Sequence, residues 1–383
     1  MKTNILTVAL IASALTFGCQ QGTNDQKNNA TSDTVDTTST GFDGLIDKKN
    51  VKLYSLQNGG VSLTLTNYGA RLVSLNVPDK SGASKDVILG YETAQEYKDN
   101  ANNFYGAIVG RYGNRIGDAT FTLDGEKYDL EKNDGKNSLH GGTNGVFNKV
   151  WDAASSNDTS VTLTYVSPDK EAGYPGTVNM SVTYSIDGQG GLNIQYNATT
   201  DKKTVLNLTN HAYFNLNGAG ASTILDHQLQ VDADAITAVD QTLIPTGESL
   251  KVAGTPFDFR EPRTIGERIN QDHAQLKIGG GYDHNFELNK TDDYQKVATV
   301  YAPETGIEMQ IFTTEPGLQF YSGNFMKQED PKGKKGLSYP FRAAFCLETQ
   351  HYPDAPNHPT FASTVLEPSQ EYSSKTTYRF SVR

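Results

Sequence analysis

The sequence predicts an all-β protein, a large antiparallel β-sandwich, from two observations. Residues 61–66 alternate apolar and polar side chains strictly, as a half-buried strand does. Tyrosine (20 residues), phenylalanine (16) and glycine (36) are plentiful, which favours strands and tight turns over long helices. Strands of this kind, separated by frequent turns, are typical of sandwiches.

Turn signals place hairpins along the chain. Asp124-Gly125 lies between two short strands within residues 121–128, and Asp187-Gly188 marks a second hairpin. Turns of this type join neighbouring antiparallel strands, so both signals support the sandwich.

Helical patterns are few and short. Residues 93–98 and 264–269 are the candidates, the second with Thr264 as its N-cap. No break in composition and no long linker divides the chain from residue 44 onward. We therefore expect residues 44–383 to form one continuous domain.

The N-terminal residues have the pattern of an export signal. A basic start precedes an apolar stretch over residues 5–17, which is too short to span a bilayer, since a span takes about 20 residues. Residues 16–19 resemble a bacterial lipobox, so we expect residues 1–18 to be a lipoprotein-type signal peptide and Cys19 to be lipidated. An ordinary secretory signal is the alternative. Both predict an exported protein, either a membrane-anchored bacterial lipoprotein or a periplasmic protein.

Residues 19–43 are expected to be a disordered tether. They are rich in Gln, Asn, Thr, Ser and Asp and carry few apolar side chains, so they cannot bury a core. The expected contact with a membrane is therefore confined to the lipid anchor at Cys19.

Charge and cysteine content exclude other classes. A net charge of −11 argues against a nucleic-acid partner, because phosphate contacts need clustered lysines and arginines. Once Cys19 is lipidated, Cys346 has no second cysteine to pair with, so no disulfide framework is available. Its apolar neighbours predict an inert buried thiol.

Glu348 lies in an unusual setting, directly after Phe345-Cys346-Leu347. This run is typical of the end of a buried strand, where an unpaired carboxylate costs several kcal/mol or raises its own pKa. A loop rich in proline and aromatic residues follows. The pattern presents an acid–base group on a rigid scaffold, and a salt-bridged structural glutamate is the alternative.

Two histidines stand out among the seven. His140 precedes Gly141-Gly142, where the backbone can fold tightly around it. His211 follows an alternating segment in which Asn207 and Thr209 share its face, as on the floor of a polar cleft. A structural role in hydrogen bonding is the alternative for each. His227 and His273 have polar neighbours in the sequence, so we expect both to be exposed to solvent.

Further polar residues suit a carbohydrate better than a phosphorylated ligand. Asp283 follows a triple-glycine run that lacks the ending of a phosphate loop. Arg115 beside Asn114 offers forked donors for vicinal hydroxyls, and Gln319 places an amide next to aromatic rings. The histidines and cysteines show no zinc-like spacing, so no metal is expected.

Taken together, these segments resemble the aldose 1-epimerase (galactose mutarotase) family. The resemblance runs in order from about residue 45 to the C-terminus. It rests on residues 114–116, 137–142, 210–216, 281–284, 315–319 and 347–354.

The resemblance implies a supersandwich fold with an open sugar cleft and a free aldose, such as D-glucose or D-galactose, as substrate. It implies that Glu348 is the general base and His211 the general acid. The residues that it implies for holding the sugar are Asn114, Arg115, His140, Tyr213, Asp283 and Gln319. No cofactor is implied, and we expect a monomer.

The implied chemistry opens and closes a sugar ring. A base removes the proton of the C1 hydroxyl while an acid protonates the ring oxygen, and closure reverses both transfers. The acid must be charged near neutral pH, and we hypothesise that Asp283 or another nearby acid helps His211 to stay protonated. Two alternatives remain: a glycoside hydrolase that uses Asp283 and Glu348 as its carboxylate pair, and a non-catalytic sugar-binding module.

Overall fold

A computed structural model describes residues 41–383 of the chain. The predicted signal peptide, Cys19 and residues 19–40 of the predicted tether lie outside the described residues. Phe42, which falls within the predicted tether, is buried against Tyr97 with a ring-centroid distance of 6.2 Å. Packed structure therefore includes at least this residue ahead of the predicted boundary at residue 44.

Strands dominate the described chain, and helices are short. In chain order the strands are β1 (Gly44–Ile46), β2 (Lys49–Val51), β3 (Leu53–Asn58), β4 (Val61–Thr66), β5 (Arg71–Pro78), β6 (Ser84–Asp86), β7 (Ala107–Val109), β8 (Arg115–Ile116), β9 (Thr120–Leu123), β10 (Glu126–Asp129), β11 (Ser138–Leu139), β12 (Asp152–Asn157), β13 (Ser160–Ser167), β14 (Val178–Ile186), β15 (Gly191–Thr200), β16 (Thr204–Val205), β17 (Thr209–His211), β18 (Gln228–Val231), β19 (Ala233–Val239), β20 (Pro245–Lys251), β21 (Arg263–Thr264), β22 (Asp283–Leu288), β23 (Gln295–Tyr301), β24 (Ile307–Thr313), β25 (Gly317–Tyr321), β26 (Cys346–Gln350), β27 (Val365–Leu366) and β28 (Tyr372–Val382). The helices are α1 (Ala94–Asp99) and α2 (Ala274–Gly279), with 3₁₀ segments at Ala101–Asn103, Gly117–Ala119, Val146–Asn148, Glu171–Gly173, Ile265–Glu267, Lys334–Gly336 and Ala355–Asn357.

Three sheets build the body, and all of their strand pairs are antiparallel. The largest has nine strands in the order β12-β13-β14-β15-β28-β24-β23-β18-β21. A five-stranded sheet has the order β20-β19-β22-β25-β26, and a four-stranded sheet runs β3-β4-β5-β6. The prediction of a large antiparallel sandwich is confirmed.

The sheets share one hydrophobic core. Leu63 and Leu75 of the four-stranded sheet, Val182 and Ile194 of the nine-stranded sheet and Leu318 of the five-stranded sheet belong to the same buried cluster. Alternation explains this arrangement, since every second side chain of each strand points inward. The burial of apolar area between the sheets therefore fixes which face of the five-stranded sheet is apolar and leaves the other face for polar side chains.

The predicted hairpins are confirmed. Leu123 pairs with Glu126 across a turn in which Asp124 and Gly125 have φ values of 51° and 81°. Two positive φ values are what a two-residue hairpin turn requires, and asparagine, aspartate and glycine accept them most readily. The second predicted hairpin joins β14 to β15.

The helix predictions are confirmed in one case and corrected in another. Thr93 caps α1 by accepting a hydrogen bond from the Glu96 amide, in a capping box. Residues 265–267 form only a 3₁₀ turn, and the Thr264 side chain makes no capping bond. Helix α2 was not predicted; His273 accepts from the Gln275 amide at its start. Among the described residues, no helix combines the length and the apolar character needed to cross a membrane.

Candidate active site

A cleft of about 580 Å³ opens over the five-stranded sheet, within the size range of small-molecule sites. Its lining includes most of the predicted site residues: Asn114, Arg115, His140, His211, Tyr213, Asp283 and Glu348. Gln319 is the exception. It is buried, and its Nε2 donates to Asp283 Oδ1 at 2.7 Å, so it reaches the cleft through that carboxylate.

Strand register brings the acidic side chains together. In β22, β25 and β26, Asn285 is paired with Gln319, and Gln319 with Glu348. Two residues away along each strand, Asp283 is paired with Tyr321, and Tyr321 with Cys346. Residues paired across an antiparallel sheet lie on the same face.

The intervening residues of these strands face the other way. Phe286, Leu318, Phe320 and Leu347 pack into the hydrophobic core. One face of the sheet is therefore apolar and anchored, while the other carries the polar groups of the cleft.

The position of Glu348 corrects the sequence prediction. It lies in the middle of β26, not at the end of the strand, because pairing with β25 continues to Gln350. The polar residues that follow Glu348 suggest a loop, but they continue the strand. Gln350 lies on the same face as Glu348, and Thr349 lies on the opposite face. A central position holds the carboxylate more rigidly than a strand end would.

His211 reaches the same place from another part of the chain. It ends β17, whose pairing with β7 sets His211 opposite Ala107. Its Nε2 atom lies 3.6 Å from Glu348 Oε1, and the two residues are 5% and 2% exposed. The second carboxylate oxygen of Glu348, Oε2, has no hydrogen-bond partner among the described residues. The cleft thus holds a buried carboxyl and a buried imidazole at close range, and Oε2 is a buried polar atom without a partner among the described residues.

His140 is held by a tight backbone turn, as predicted. It has a φ of 53°, and Gly141 follows at 87°. A side chain at Gly141 would clash with the Gly110 carbonyl oxygen, so glycine is required there. His140 Nδ1 accepts from the Asn114 amide at 3.1 Å. Neutral His140 must therefore carry its proton on Nε2 and can offer that N–H as a donor.

Arg115 is fixed between two carboxylates. Its Nε donates to Asp134 Oδ2 at 2.8 Å, and its Nη1 lies 3.8 Å from Asp283 Oδ2. Asn114 has a left-handed backbone, with φ of 66°, and its Oδ1 accepts from the Arg115 amide at 2.8 Å. These contacts hold a guanidinium at the cleft wall, where its forked donors suit neighbouring hydroxyls.

Aromatic rings line the apolar side of the cleft. Tyr213 stacks on His211 with a centroid distance of 5.0 Å, and Phe104 lies 4.7 Å from His140 and 5.7 Å from His211. At the rim, Phe325 is 52% exposed and stacks on Tyr321. Rings of this kind can cover the apolar faces of a ligand while polar groups bind its edges.

Comparison with known proteins identifies the family. The family model for aldose 1-epimerase matches residues 52–379. A galactose mutarotase from Sus scrofa is 42% identical over 332 residues, which cover 87% of this chain and 94% of the relative. The chain belongs to the aldose 1-epimerase family.

Further relatives agree with this assignment. An aldose 1-epimerase from Escherichia coli is 38% identical over 338 residues, covering 87% of this chain and 96% of the relative. A solved structure of an aldose epimerase homologue from C. elegans superposes with a TM-score of 0.79 at 33% identity, covering 87% and 99% of the two chains. The family and the fold expected from the sequence motifs are both confirmed.

Burial disfavours charge throughout the epimerase cleft. Desolvation, and then the charge of Asp283, raise the pKa of Glu348 well above its usual value. Desolvation lowers the pKa of His211 to about 3, and it lowers the pKa of His140 well below the ordinary histidine range. Desolvation also raises the pKa of Asp283, although Arg115 and Gln319 oppose the shift. Burial therefore favours the neutral forms of both Glu348 and His211.

These effects correct the hypothesis about Asp283. Its charge acts on Glu348, whereas the shift of the His211 pKa comes from burial and from Arg115, with the histidine's own backbone opposing it. Register explains why, because Asp283 lies in the same sheet as Glu348 while His211 approaches from β17. Asp283 therefore raises the pKa of Glu348 and is not among the groups that shift the pKa of His211.

The two cleft histidines and Glu348 could be mistaken for a metal site, since their ligand atoms lie within 4.8 Å of one another. The hydrogen bond to His140 argues against this. A histidine that binds a metal donates its other ring N–H to an acceptor. His140 does the reverse, because Nδ1 accepts from a backbone amide and the proton must lie on Nε2. The group suits hydroxyl ligands better.

Other residues were missed or misplaced by sequence reasoning. Tyr321 and Phe325 contribute to the cleft but carry no local signal apart from their aromatic character. His227, expected to be exposed, is fully buried: its Nε2 accepts from the Leu216 amide at 3.0 Å. His273 is only partly exposed. Cys346 is buried as predicted, but its thiol contacts His211 and is not surrounded by apolar groups alone.

Proposed function

We propose that this cleft interconverts the α and β anomers of free aldoses, such as D-glucose and D-galactose, with Glu348 as general base and His211 as general acid. The observation that carries the assignment of roles is the geometry of this pair. Both side chains are buried, both line the cleft, and 3.6 Å separates Nε2 from Oε1. Two groups at this separation can address neighbouring oxygens of one sugar ring.

The reaction moves two protons and breaks one bond. Glu348 takes the proton of the C1 hydroxyl as C1–O1 becomes a carbonyl, and the C1–O5 bond breaks as His211 gives its proton to O5. Rotation of the free aldehyde presents its other face, and the reverse transfers close the ring to the other anomer. Each transfer is typically worth about 10²–10⁴-fold in rate.

Burial of the pair has a direct role in this scheme. Before ring opening the pair is carboxylate and imidazolium, and afterwards both members are neutral. Burial favours neutral forms, because it raises the pKa of Glu348 and lowers the pKa of His211 to about 3. The site therefore stabilises the charge state that accompanies the open-chain sugar. A hydrogen bond from the sugar to the Glu348 carboxylate would stabilise its starting, charged form.

The remaining predicted residues are suited to holding the sugar. His140 offers an Nε2–H donor, Arg115 offers guanidinium donors and Asp283 offers carboxylate oxygens fixed by Gln319. Tyr213 supplies an aromatic wall beside His211. A monosaccharide needs no metal or organic cofactor for this reaction, since both transfers are proton transfers between side chains and oxygen atoms.

The two alternatives find less support. A glycosidase would need Asp283 as an independent acid or nucleophile, but this carboxylate accepts from Gln319 and lies beside Arg115. A binding module would have no need of a costly buried carboxylate with a free oxygen.

Polarimetry on freshly dissolved α-D-glucose and α-D-galactose tests the proposal. The purified protein should speed the approach to the equilibrium rotation well beyond the buffer rate. Absence of acceleration with several aldoses would overturn it, and release of reducing sugar from a glycoside would favour the glycosidase.

We also propose that the protein is exported and anchored through Cys19. Support comes from the sequence alone: an apolar stretch at residues 5–17 ahead of Cys19 and a polar segment behind it. In a bacterial host, Cys19→Ala should move the protein from the membrane fraction to the soluble or precursor fraction. Unchanged fractionation, or an intact N-terminus by mass spectrometry, would contradict export through this signal.

A further inference from the structure

Two neighbouring strands of the five-stranded sheet separate at the edge of the cleft. Pairing between β19 and β22 extends to Ile236 and Phe286. Three more steps in the same register would set Val239 opposite Asp283. Asp283 lines the cleft, and so do residues 241–243, which follow Val239 by two positions. The cleft is therefore bounded on this side by the ends of two strands that have parted.

A glutamine side chain takes the place of a strand partner for Val239. Gln275 of helix α2 is buried, and its Oε1 accepts from the Val239 amide at 2.9 Å. Its Nε2 donates to the Val239 carbonyl oxygen at 3.0 Å. Two residues in a hydrogen-bonded pair of an antiparallel ladder exchange the same two bonds through their backbones. The Gln275 amide therefore satisfies both backbone groups of Val239 beyond the last paired residues.

His284 connects this glutamine to Asp283. Its Nδ1 accepts from the Asp283 amide at 3.1 Å, and its Nε2 lies 3.2 Å from Gln275 Oε1. An acceptor at Nδ1 leaves the proton of the neutral ring on Nε2, where it donates to Oε1. A single orientation of the Gln275 amide and a single tautomer of His284 thus satisfy all four hydrogen bonds. The bonds form a bridge from Val239 to Asp283 across the gap between the strands.

Burial keeps the histidine of the bridge in this form. The His284 ring is fully buried and lies 4.7 Å from the ring of Phe257. Desolvation, and then the charge of His273, lower the pKa of His284 to about 3. Protonation at Nδ1 would also set one N–H against another, at the Asp283 amide. The bridge therefore stays intact at every pH near neutrality.

We propose that Gln275 and His284 are positioning residues that bridge the two separated strands and hold Asp283 in the cleft wall. This role rests on the proposed function, because it matters for the reaction only if Asp283 holds the sugar. Gln319 and Arg115 contact the Asp283 carboxylate, whereas the bridge ties its backbone amide to β19. The two kinds of contact fix different parts of the same residue.

Loss of the bridge should weaken sugar binding more than it slows the chemistry. Without it, the first residue of β22 loses its tie to β19, so the Asp283 carboxylate is held less exactly. Glu348 and His211 lie in β26 and β17 and keep their own strand pairing. The expected signature is a higher KM with little change in kcat.

Gln275→Met tests the bridge, because methionine has a similar length but cannot make these hydrogen bonds. We expect KM to rise about five- to tenfold in polarimetry with kcat within about twofold, as for the loss of modest buried hydrogen bonds. Leu276→Ala is the control, because Leu276 lies in the same helix and packs into the hydrophobic core. It should lose thermal stability while its folded fraction keeps its KM. An unchanged KM in folded Gln275→Met would overturn the proposal.

A double-mutant cycle with Asp283→Ala separates positioning from a general loosening of the fold. If the bridge acts through Asp283, adding Gln275→Met to Asp283→Ala should raise KM by less than about twofold. A further rise as large as the one in the wild-type background would show that the effect does not pass through Asp283. That result would also overturn the proposal.

His284→Asn replaces Gln275→Met in the cycle if the methionine variant does not fold. Asparagine can still accept from the Asp283 amide but is too short to reach Gln275, so it should give the same non-additive rise in KM. Nitrogen-15 NMR on the wild-type protein, with His284 assigned through its backbone, should show a neutral Nε2–H ring. An Nδ1–H ring would overturn the proposal, and this spectrum decides if neither variant folds. Failure of the epimerase function is distinct, since it would appear as absent wild-type activity in polarimetry.

Discussion

Two histidine–glutamate pairs lie near β26, one through Glu348 within the strand and one through His351 directly after it, and their geometries differ. In the cleft pair, His211 Nε2 is 3.6 Å from Glu348 Oε1. In the second pair, His351 Nδ1 is 2.6 Å from Glu315 Oε2. Burial lowers the pKa of His351, but the charge of Glu315 and its hydrogen bond outweigh this effect and raise it overall. The pKa of His211 falls to about 3.

The difference separates a structural pair from the pair that we propose to be reactive. The His351–Glu315 pair is closed, so each charge stabilises the other. The His211–Glu348 pair lies beyond hydrogen-bonding distance, so Nε2 and Oε1 are not tied to each other and both can be offered to a substrate. Two pairs of the same residue types near one strand therefore differ in their pKa shifts, and their separations differ by about one ångström.

The largest effect should follow from Glu348→Gln. An amide cannot take the C1 hydroxyl proton, so polarimetry should show a rate about 10²–10⁴-fold lower. The same change should raise the melting temperature at neutral pH, because it removes a buried carboxylate.

The pH dependence of that stability gain has a defined sign. The folded-state pKa of Glu348 is raised, so its contribution to stability is present below the ordinary glutamate pKa and is lost as pH rises through the folded value. The gain from glutamine should therefore be larger at pH 8 than at pH 4. A lower melting temperature in Glu348→Gln at both values would place Glu348 among the structural residues instead.

His211→Gln should be the next largest effect. The amide can donate a hydrogen bond to O5 but cannot transfer a proton, so we expect a fall in kcat of about 10²–10³-fold with a smaller change in KM. Steady-state polarimetry at several sugar concentrations separates the change in kcat from the change in KM. A rise in KM with kcat unchanged would show that His211 binds the sugar without acting as acid.

The structural pair should respond in stability and not in activity. Glu315→Gln breaks a buried ion pair, which we expect to lower the free energy of unfolding by about 2–4 kcal/mol at pH 6 in urea titrations. The folded-state pKa of His351 is raised, so its stabilising contribution is present below about 6.5 and is lost as pH rises through the folded value. The loss of unfolding free energy in Glu315→Gln should therefore be smaller at pH 9 than at pH 6.

His351→Gln is the matched control for that experiment. It leaves the Glu315 carboxylate buried without its partner, so its cost should persist at pH 9. Both variants should keep kcat within about threefold when folded. A loss of activity comparable with Glu348→Gln would show that the two pairs are not separate in function.

Sequence patterns account for the strands and for most of the cleft, but not for contacts across the chain. Alternation and turn signals predicted β4 and the Asp124-Gly125 hairpin, because both depend on local geometry. The middle-strand position of Glu348 depends on register with β25, and the contact of Cys346 with His211 joins residues 135 positions apart. The burial of His227 likewise depends on the Leu216 amide. No local pattern specifies such partners.

The smallest predicted effect is a shift in pH profile when Asp283 is changed to asparagine. Asp283 lies in the row next to Glu348, and after burial its charge is the largest contribution that raises the pKa of Glu348. Asparagine keeps an oxygen for the sugar and for Gln319 but removes the charge. The pKa of Glu348 should fall while remaining elevated by burial. The free enzyme then loses the shared proton of the catalytic pair at lower pH, so the basic limb of kcat/KM should move towards acid.

Asp134→Asn is the control for this shift, because Asp134 binds the other side of Arg115 and is 37% exposed at its side chain. This substitution removes the charge of an acid that lines the same cleft. Asp134 is not among the groups whose charge shifts the pKa of Glu348. In Asp134→Asn the basic limb of the kcat/KM profile should stay at the same pH, even if KM rises. A limb that moves equally in both variants would show that net charge in the cleft, and not Asp283 in particular, governs the profile. A limb that stays in place in Asp283→Asn would show that the charge of Asp283 does not govern it. The comparison of the two pairs would then have to rest on their separation alone, since the reactive pair would owe none of its proton affinity to this carboxylate.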